Sequence, residues 1–484
     1  MGLTGILLGL GLLIALAYRG WSVLLLAPAA ALLAAAIARE PLLAHWTQTF
    51  MGSAAQFLAQ FFPLFLLGAL FGKLMDDSGS IKAIARFMTE RLGPRRSMLA
   101  VVLAGALVTY GGVSLFVAFF VLAPMAQALF RAAEIPRRLM PAAIALGTST
   151  FTMSALPGTP SIQNAIPMPY FGTTPFAAPG LGIRASAIML GFGLWWLGRA
   201  EAAARRAGEG FGRVADTTPD AVAADQTIRE RATASHEFDL AEIPHGHRSD
   251  KQPPVLVAAL PLAVVICVNL LMALFVLPRL DFSFLGEERW GATSLSAVAG
   301  VWAVVVALAA ASLTLVLMNL RRLPSLRESM DAGANASVLP ALSVASLVGF
   351  GAVVAMLPAF AVVRDWVLSI GGGPLVSLAA ATNVLAALTG SASGGLTIAL
   401  DVLGGTYLRL AAEQGIDPAL LHRVAVIGSG TLDSLPHNGA VVTLLAVCGT
   451  THRESYRDIV IVAIVGALIA LAAVIVAGTM FGSF

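Results

Sequence analysis

The chain of 484 residues is poor in charge: only 12% of its residues are Asp, Glu, Lys or Arg, whereas 58% are hydrophobic. A soluble domain carries about 25% charged residues, so this composition excludes an ordinary soluble protein. No block of basic residues occurs and the net charge is only +3, which argues against nucleic-acid binding. Alternating segments of about ten residues, typical of membrane barrels, are also lacking. The sequence therefore predicts a helical membrane protein.

Cysteine is scarce as well, with only Cys267 and Cys448, both in apolar stretches. Their separation gives no metal or redox spacing, and we predict buried, inert thiols. The histidines 236, 245 and 247 have no accompanying ligand pattern, so we predict neither a metal nor a cofactor. No basic residue precedes the first apolar run and no cleavage site stands out, so we predict no signal peptide.

What the chain does contain is a series of apolar runs long enough to span a bilayer, about 20 residues each. They fall near 3–18, 21–38, 54–74, 181–198, 254–278, 291–320, 338–360 and 456–483. The regions 97–156 and 374–447 are equally apolar but are interrupted by Gly, Ser, Thr and Pro. These two regions differ from ordinary spans.

The two interrupted regions are copies of each other, about 280 residues apart. Gly93-Pro94-x-x-Ser97 recurs as Gly373-Pro374-x-x-Ser377. The matches continue with Ala100, Ala106, Thr109, Ile135, Leu139, Gly147 and Thr150 against Ala380, Ala386, Thr389, Ile416, Leu420, Gly428 and Thr431. Irregular backbone survives in lipid only where protein buries it or where it lines a cavity. Paired interruptions in two halves therefore indicate the binding site of a transporter.

A topology follows if 97–131 and 374–411 are re-entrant hairpins and 137–172 and 419–450 are broken single crossings. The chain then crosses ten times, and its basic residues gather on one side, which the positive-inside rule makes cytoplasmic. That side receives Arg19, Lys73, Lys82, Arg86, Arg91, Arg95, Arg96, Arg131, Arg137, Arg138, the arginines of 199–213, Arg321, Arg322, Arg327, Arg453 and Arg457. The other side receives nearly cancelling charges, among them Arg364, Asp365, Arg409, Glu413, Asp417 and Arg423.

The predicted fold is an all-α polytopic membrane protein with inverted repeats, each containing a re-entrant helical hairpin and a broken transmembrane helix. The repeats are inverted because five crossings, an odd number, separate equivalent points; a hairpin that crossed fully would remove this inversion. The predicted units are scaffold helices 1–52, a first repeat 53–198, a linker 199–253, scaffold helices 254–334 and a second repeat 335–484. The linker is rich in Ala, Arg, Asp, Glu and Thr, which predicts a largely disordered cytoplasmic segment.

Four interruptions are candidates for a binding site: 109–114, 147–160, 389–397 and 428–439. Each combines glycines with hydroxyl groups. Broken helices expose backbone N–H groups at one end and C=O groups at the other, which attract anions and cations respectively. A small carboxylate with hydroxyl groups suits such a site. Tight helix packing is the alternative, because Gly, Ser and Thr are common at membrane helix contacts.

Asp433 and His437 add ionisable groups to the fourth interruption. Such groups are costly at membrane depth and are usually functional, so we expect them to handle a coupled proton. A structural hydrogen bond that fixes the break is the alternative. Asp401, on the second arm of the second hairpin, is a weaker candidate acid. No comparable acid lies in the interruptions of the first copy.

The segments Gly428-Ser-Gly-Thr-Leu-Asp-Ser-Leu-Pro-His-Asn-Gly-Ala440 and Thr451-His-Arg-Glu-Ser-Tyr-Arg-Asp458 resemble the C-terminal signature of the gluconate permease (GntP-type) family, part of the wider ion transporter superfamily. The first-half motif 156–173 is more similar to the branch of 3-hydroxybutyrate or citrate permeases. The resemblance covers most of the chain except 199–253.

The resemblance implies a secondary transporter of the bacterial inner membrane that imports a small organic anion, such as gluconate or 3-hydroxybutyrate, by proton symport. It also implies a homodimer in the lipid bilayer, with alternating access around a midplane site and no nucleic-acid partner. The residues that it suggests as substrate or ion ligands are Ser114, Thr150, Thr159, Ser391, Ser393, Thr431 and Asn438, beside the interruption glycines Gly111, Gly112, Gly158 and Gly394.

Three other functions fit parts of the pattern. A sodium-coupled carboxylate transporter of the same fold could use the carbonyl groups of the breaks. An intramembrane hydrolase could use Ser434 or Ser429 with His437 and Asp433, but such residues crowded within nine positions rarely reach triad geometry. A channel is disfavoured, since paired re-entrant breaks do not usually build a continuous pore.

Overall fold

The computed structural model describes residues 2–17, 19, 21–93, 96–212, 219–235 and 238–484. Pro94 of the repeated motif, Arg95, Arg213 and His236 lie outside these residues. Within the described ranges every regular element is a helix, which confirms the all-α class. Seven helices are long and apolar enough to cross a membrane: Leu42–Asp77, Leu115–Ala132, Pro179–Arg206, Val255–Arg279, Leu295–Arg322, Leu326–Met356 and His452–Phe481. The number of ten crossings stays a prediction.

The remaining helices are shorter. Gly2–Ala17 and Val23–Ala38 form an apolar pair at the N-terminus.

Helices Leu42–Asp77 and Leu326–Met356 pack side by side over much of their length. Small residues permit this close approach: a Cβ on Gly333 would lie 2.8 Å from Leu70 Cα. Contacts through small residues are typical of helices packed in membranes.

Both expected hairpins are present as pairs of helices. The first has arms Ser97–Tyr110 and Leu115–Ala132, and the second has arms Gly373–Thr389 and Ala392–Gln414. Left-handed glycines make the two tips, with φ +98° at Gly112 and +67° at Gly390. A serine then starts each second arm. Ser114 Oγ accepts from the Phe116 N–H at 3.3 Å, and Ser391 Oγ accepts from the Gly394 N–H at 3.0 Å.

Both expected broken helices are also present. The first consists of Met140–Thr148, Phe151–Ser154, Ile162–Ala165 and Pro167–Phe171. The second consists of Pro418–Thr431, a 3₁₀ turn Leu432–Ser434 and Gly439–Val447. Prolines explain part of the interruption, because a proline cannot donate a backbone hydrogen bond within a helix. Pro157, Pro160 and Pro436 stand in the gaps.

The linker differs from the expectation of disorder. It contains helices Pro219–Ala224 and Gln226–Ser235 and a 3₁₀ turn Leu240–Glu242. A few apolar side chains anchor it by burial: Val222, Ala223, Ala232, Phe238 and Leu240. They are too few to create a periodic pattern, so the sequence did not reveal them. Arg229 forms two bonds of 2.9 and 2.8 Å to Asp239, and this hydrogen bonding raises the pKa of Arg229.

Candidate functional site

Two small cavities lie where the interruptions meet. The hairpin cavity, of about 60 Å³, lies at the tip of the first hairpin. It is lined by Leu64, Phe65, Gly68, Ala69, Thr109, Gly112, Val113, Ser114, Met153, Pro160, Ser161 and Ile162. The central cavity, of about 30 Å³, lies deeper. Met153 lines both, so the two cavities are neighbours.

The central cavity lies between the two copies of the repeat. The first copy contributes Leu115, Phe119, Ala145, Ser149, Met153, Ser154 and Gln163. The second contributes Ala392, Gly430, Asp433, Ser434, Ala440, Val441 and Leu444, and Ile459 completes the wall. The copies touch directly here, since a Cβ on Gly430 would lie 3.1 Å from Ser154 Cβ. A ligand in this cavity would contact both halves of the duplication.

Both cavities are too small for an organic ligand. Sites for small molecules usually enclose about 300–1,000 Å³, whereas the central cavity encloses about 30 Å³. In this structure both cavities are therefore closed to an organic ligand.

Asp433 is the one carboxylate on the wall of the central cavity as far as the described residues go. Asn438 holds it: Nδ2 donates to Asp433 Oδ1 at 2.7 Å and to the Gly390 carbonyl at 2.9 Å. The Asn438 Oδ1 atom accepts from the Ala440 N–H at 2.7 Å and so caps the helix Gly439–Val447. A single buried amide thus joins the carboxylate, the tip of the second hairpin and the second half of the broken helix.

His437 is half-buried and lies beside the same hairpin tip. A Cβ on Gly390 would stand 3.5 Å from its Cδ2 atom, and the ring also interacts with the Ala387 backbone. His437 does not line the central cavity. The structure therefore brings Asp433, His437 and Asn438 together but turns only Asp433 toward the space between the copies.

Thr150 and Thr431 occupy equivalent positions in the two copies and bond in the same way. Thr150 Oγ1 donates to the Leu146 carbonyl at 2.7 Å, and Thr431 Oγ1 donates to the Ile427 carbonyl at 2.7 Å. A hydroxyl group has one proton, so each oxygen retains only its lone pairs for a ligand. Neither side chain lines either cavity. These groups could accept a hydrogen bond or hold a cation, but they cannot donate to a carboxylate.

The other candidates in the first copy divide into two groups. Gly112 and Ser114 line the hairpin cavity, whereas Gly111 packs against Leu262. Gly158 and Thr159 have mainly structural contacts. The Gly158 carbonyl accepts from Asn269 Nδ2 at 2.9 Å, and the Thr159 carbonyl accepts from Asn164 Nδ2 at 3.0 Å.

In the second copy, Ser391, Ser393 and Gly394 form the start of the hairpin's second arm. The two serine hydroxyls lie 3.3 Å apart, and Ser391 caps the Gly394 N–H. All three are buried and do not line the central cavity, whereas their neighbour Ala392 does. Asp401 lies on the exposed side of the same arm.

Sequence reasoning missed Ser149, Ser154 and Gln163, which supply polar groups to the central cavity. Ser149 and Ser154 stand within the second interruption, and Gln163 lies in the quoted first-half motif. The available signal was their position in or next to the second interruption, where irregular backbone lines a cavity or is buried by protein. Their spacing could not tell which of them meet the other copy, because the chain is not helical between Thr148 and Phe151.

Arg423 was also misplaced, because its expected position was among the loop charges of the outer side. The structure buries it completely within the helix Pro418–Thr431. Its guanidinium donates to the Ala177 carbonyl at 2.7 and 3.2 Å, with longer contacts of 3.4 Å to the Ser154 carbonyl and 3.5 Å to Asn164 Oδ1. The neighbouring His422 is equally buried and reaches Asn164 Oδ1 at 3.2 Å.

Comparison with known proteins identifies the family. The model of the GntP family permeases matches residues 1–168. The uncharacterized transporter YxjC of Bacillus subtilis (strain 168) is 40% identical over 466 residues, which are 95% of each chain. The high-affinity gluconate transporter of Escherichia coli (strain K12) is 36% identical over 104 residues, covering 21% of this chain and 23% of that one.

Among solved structures, MtrF of Neisseria gonorrhoeae, described with a class of antimetabolite efflux pumps, is similar with a TM-score of 0.53. The similarity covers 90% of this chain and 84% of MtrF at 12% identity, so it shows a shared fold alone. The permease relatives and the seven apolar helices establish a multi-pass transporter of the bacterial inner membrane rather than an enzyme. The hydrolase alternative is thereby excluded. The chain belongs to the GntP family of permeases.

Proposed function

We propose that this protein imports a small organic carboxylate, such as gluconate or 3-hydroxybutyrate, together with a proton. The observation that carries the proposal is the position of Asp433: an ionisable group on the wall of a cavity that both copies line. The serine hydroxyls and the Gln163 amide opposite it can bond the hydroxyl and carboxylate oxygens of such a substrate.

The charge of Asp433 links the proton to the anion. Two negative charges about 4 Å apart repel each other by about 4 kcal/mol at an effective dielectric constant of about 20. An ionised Asp433 therefore opposes the entry of a carboxylate, and a protonated Asp433 removes this repulsion and offers a donor. The anion and the proton consequently bind together and leave together. This is the thermodynamic requirement of symport.

The closed cavity supports an alternating-access cycle. Each hairpin tip touches a broken helix: Tyr110 donates to the Pro157 carbonyl at 2.7 Å in the first copy, and Asn438 binds Gly390 in the second. Separation of one tip at a time would open the central cavity to one side of the membrane. The substrate class rests on the relative named as a high-affinity gluconate transporter.

The test is uptake into proteoliposomes that contain the purified full-length protein. Labelled gluconate and 3-hydroxybutyrate are each supplied under an inward proton gradient without sodium, or under an inward sodium gradient at equal pH. We expect the proton gradient alone to drive accumulation of at least one of the acids, and a protonophore to abolish it. Uptake that requires sodium and ignores the proton gradient would contradict the proposal, as would no uptake of either acid.

Sodium coupling is the second candidate, and Thr150 with Thr431 favours it. Each hydroxyl group donates a hydrogen bond to a helix carbonyl, so the lone pairs of its oxygen remain for a hard cation. In that case sodium would replace the proton as the positive partner of the carboxylate. The two gradients in the experiment above distinguish these mechanisms.

A further inference from the structure

Arg423 is a buried positive charge without a carboxylate partner. It is fully buried, and its hydrogen-bond acceptors are two backbone carbonyls and one amide oxygen. No ion pair within 4.0 Å includes it in the part of the chain that the structure describes. The two shortest bonds both go to the Ala177 carbonyl, which a neutral amide with its two N–H donors could also serve, so hydrogen bonding there does not call for a charge. A buried, unpaired charge is costly and calls for a compensating group.

The position of Arg423 suggests what compensates it. Its helix, Pro418–Thr431, leads toward the central cavity, and Gly430 on the cavity wall is seven residues away, about 10 Å at the helical rise. On its other side, Arg423 contacts the carbonyl of Ser154, whose residue also lines the cavity. The guanidinium thus lies just behind the wall of the cavity, within electrostatic range of its contents.

We propose that Arg423 determines the selectivity of the central cavity for anions, acting through its charge rather than by contact. This inference rests on the proposed function. A bound carboxylate would supply the negative charge that Arg423 lacks among its hydrogen-bond partners.

The size of the effect follows from Coulomb's law. A unit charge about 10 Å from a carboxylate, at an effective dielectric constant of about 20, changes the dissociation constant by about tenfold. This Coulomb energy is absent for a neutral ligand of the same shape. Selectivity for charge, rather than overall affinity, is therefore the quantity that Arg423 controls.

The experiment measures dissociation constants of gluconate and of its neutral amide, gluconamide, for the purified full-length protein. For Arg423→Gln we expect gluconate to bind about tenfold more weakly and gluconamide to be unaffected. Arg423→Lys should keep most of the gluconate affinity, because the charge is retained. Arg184→Gln serves as the matched control, since Arg184 is exposed on a neighbouring helix and solvent screens its charge.

Arg423→Lys also guards against misfolding of Arg423→Gln, because it loses the forked hydrogen bonds to the Ala177 carbonyl but keeps the positive charge. Equal weakening of gluconate and gluconamide in Arg423→Gln, or equal loss of gluconate affinity in Arg423→Gln and Arg423→Lys, would show a merely structural role and overturn the inference. Failure of the unmodified protein to bind any small carboxylate would instead overturn the proposed function itself.

A different observation concerns the linker, whose helix Gln226–Ser235 lies against the second broken helix. The backbones are so close that a Cβ on Gly439 would fall 1.9 Å from the Arg231 carbonyl oxygen. Gly439 directly follows His437 and Asn438, and the charge of Arg231 acts on His437. The linker is also fastened to the scaffold, because the Asp239 N–H donates to the Ala336 carbonyl at 2.9 Å.

We infer that the helix Gln226–Ser235 is a latch that holds Gly439–Val447 in the closed conformation and detaches during each transport cycle. The reason is geometric. The latch is joined both to the helix Leu326–Met356 and to the broken helix that forms the site. Opening of the site changes the distance between them, so the contact at Gly439 must break. This inference also rests on the proposed function.

The latch is tested by cysteine labelling in the full chain, with the native thiols removed as Cys267→Ser and Cys448→Ala. Ala232→Cys lies at the buried contact, and Thr227→Cys lies on the exposed face of the same helix as the matched control. A membrane-permeant thiol reagent such as N-ethylmaleimide, which reaches the cytoplasmic side, should label position 232 several-fold faster during gluconate uptake than at rest, with no change at position 227. Equal rates at position 232 in vesicles that are accumulating gluconate would overturn the latch without touching the proposed function.

Discussion

The two broken helices share their pattern of breaks, but at one pair of equivalent positions their side chains differ in kind. With Gly147 aligned to Gly428, Thr152 of the first copy corresponds to Asp433 of the second. Thr152 is fully buried, and its hydroxyl lies 3.1 Å from the carbonyls of Gly147 and Thr148. Asp433 instead faces the central cavity. The first break is satisfied by its own backbone, whereas the second places an ionisable group on the wall of the central cavity.

A second difference accompanies the first. The counterpart of Asn438 is Pro157, which has no side-chain amide. The first break is joined to its hairpin through Tyr110 and the Pro157 carbonyl, and the second through Asn438. The contact in the second copy therefore includes the carboxylate, and movement of that hairpin changes the surroundings of Asp433. The two copies therefore share the wall of the central cavity, whereas its carboxylate comes from the second copy as far as the described residues go.

The largest effect is expected from Asp433→Asn, which makes the second break as uncharged as the first. Accumulation of gluconate driven by a proton gradient should be lost, while exchange of gluconate across the membrane persists, because the amide cannot carry a proton. The measurement is uptake against counterflow in proteoliposomes. Asp401→Asn is the matched control, since Asp401 is exposed on the second hairpin. Retained proton-driven accumulation in Asp433→Asn would remove the contrast between the copies.

The next largest effect is expected from removal of the Asn438 side-chain amide, which has no counterpart at the equivalent position of the first copy. Asn438→Ala removes hydrogen bonds to Asp433 and Gly390, one of them to a charged group, and should lower the free energy of unfolding by about 2–3 kcal/mol. Asn269→Ala is the counterpart, because Asn269 donates to Gly158 in the first copy, and should cost about 1 kcal/mol. Thermal and denaturant unfolding in detergent measure both. Equal costs would mean that the carboxylate contributes nothing to the second contact.

A smaller effect is expected from removal of the Ser149 hydroxyl, which the first copy contributes to the wall of the central cavity. Ser149→Ala should weaken gluconate binding by about tenfold, since a hydrogen bond contributes about 1 kcal/mol or slightly more. The pH dependence of binding should stay as it is, because Ser149 carries no charge. Ser343→Ala is the control: it removes a buried hydroxyl that donates to Leu339 and lines neither cavity. Titration calorimetry at several pH values distinguishes these outcomes.

The smallest effect is expected from the threonines that the copies have in common. Under proton coupling, Thr150→Val and Thr431→Val should change gluconate uptake by less than about threefold, since each removes only a bond to a helix carbonyl within its own turn. Initial rates at fixed pH, with and without sodium, provide the measurement. Loss of uptake in both variants, together with a requirement for sodium, would favour sodium coupling and make the copies equal partners.

The sequence predicted the hairpins and the breaks well, because glycines, prolines and paired repeats mark where helices must end. The hairpin tip at Gly390 and the break at Pro436 are examples of such local signals. It could not show which hydroxyls face the cavity. Thr150 and Ser149 are adjacent in the gap between the helices Met140–Thr148 and Phe151–Ser154, and the irregular backbone of this gap places Ser149 rather than Thr150 on the wall.

Long-range contacts explain the other misses. Arg423 stands near the start of a helix and looks like a loop charge, but its partner carbonyl at Ala177 is 246 residues away. The helix Gln226–Ser235 forms from a polar segment because its few buried apolar residues find partners at Gly439–Val447. Helix propensity and hydrophobic periodicity predict neither contact, because the two contacts depend on surfaces from the other half of the chain.

The end of the helix Leu42–Asp77 has a consequence for biosynthesis. Lys73 and Asp77 form a buried ion pair of 2.7 Å within one helical turn, so they can neutralise each other as soon as they are made. Asp76 is different, because its partner Arg248, at 2.9 Å, follows 172 residues later. At about 5–20 residues per second, the ribosome needs roughly 10–35 s to supply that arginine. Attachment of the linker is thus a late step of assembly, and a nascent chain that ends before Arg248 should leave the linker open to protease.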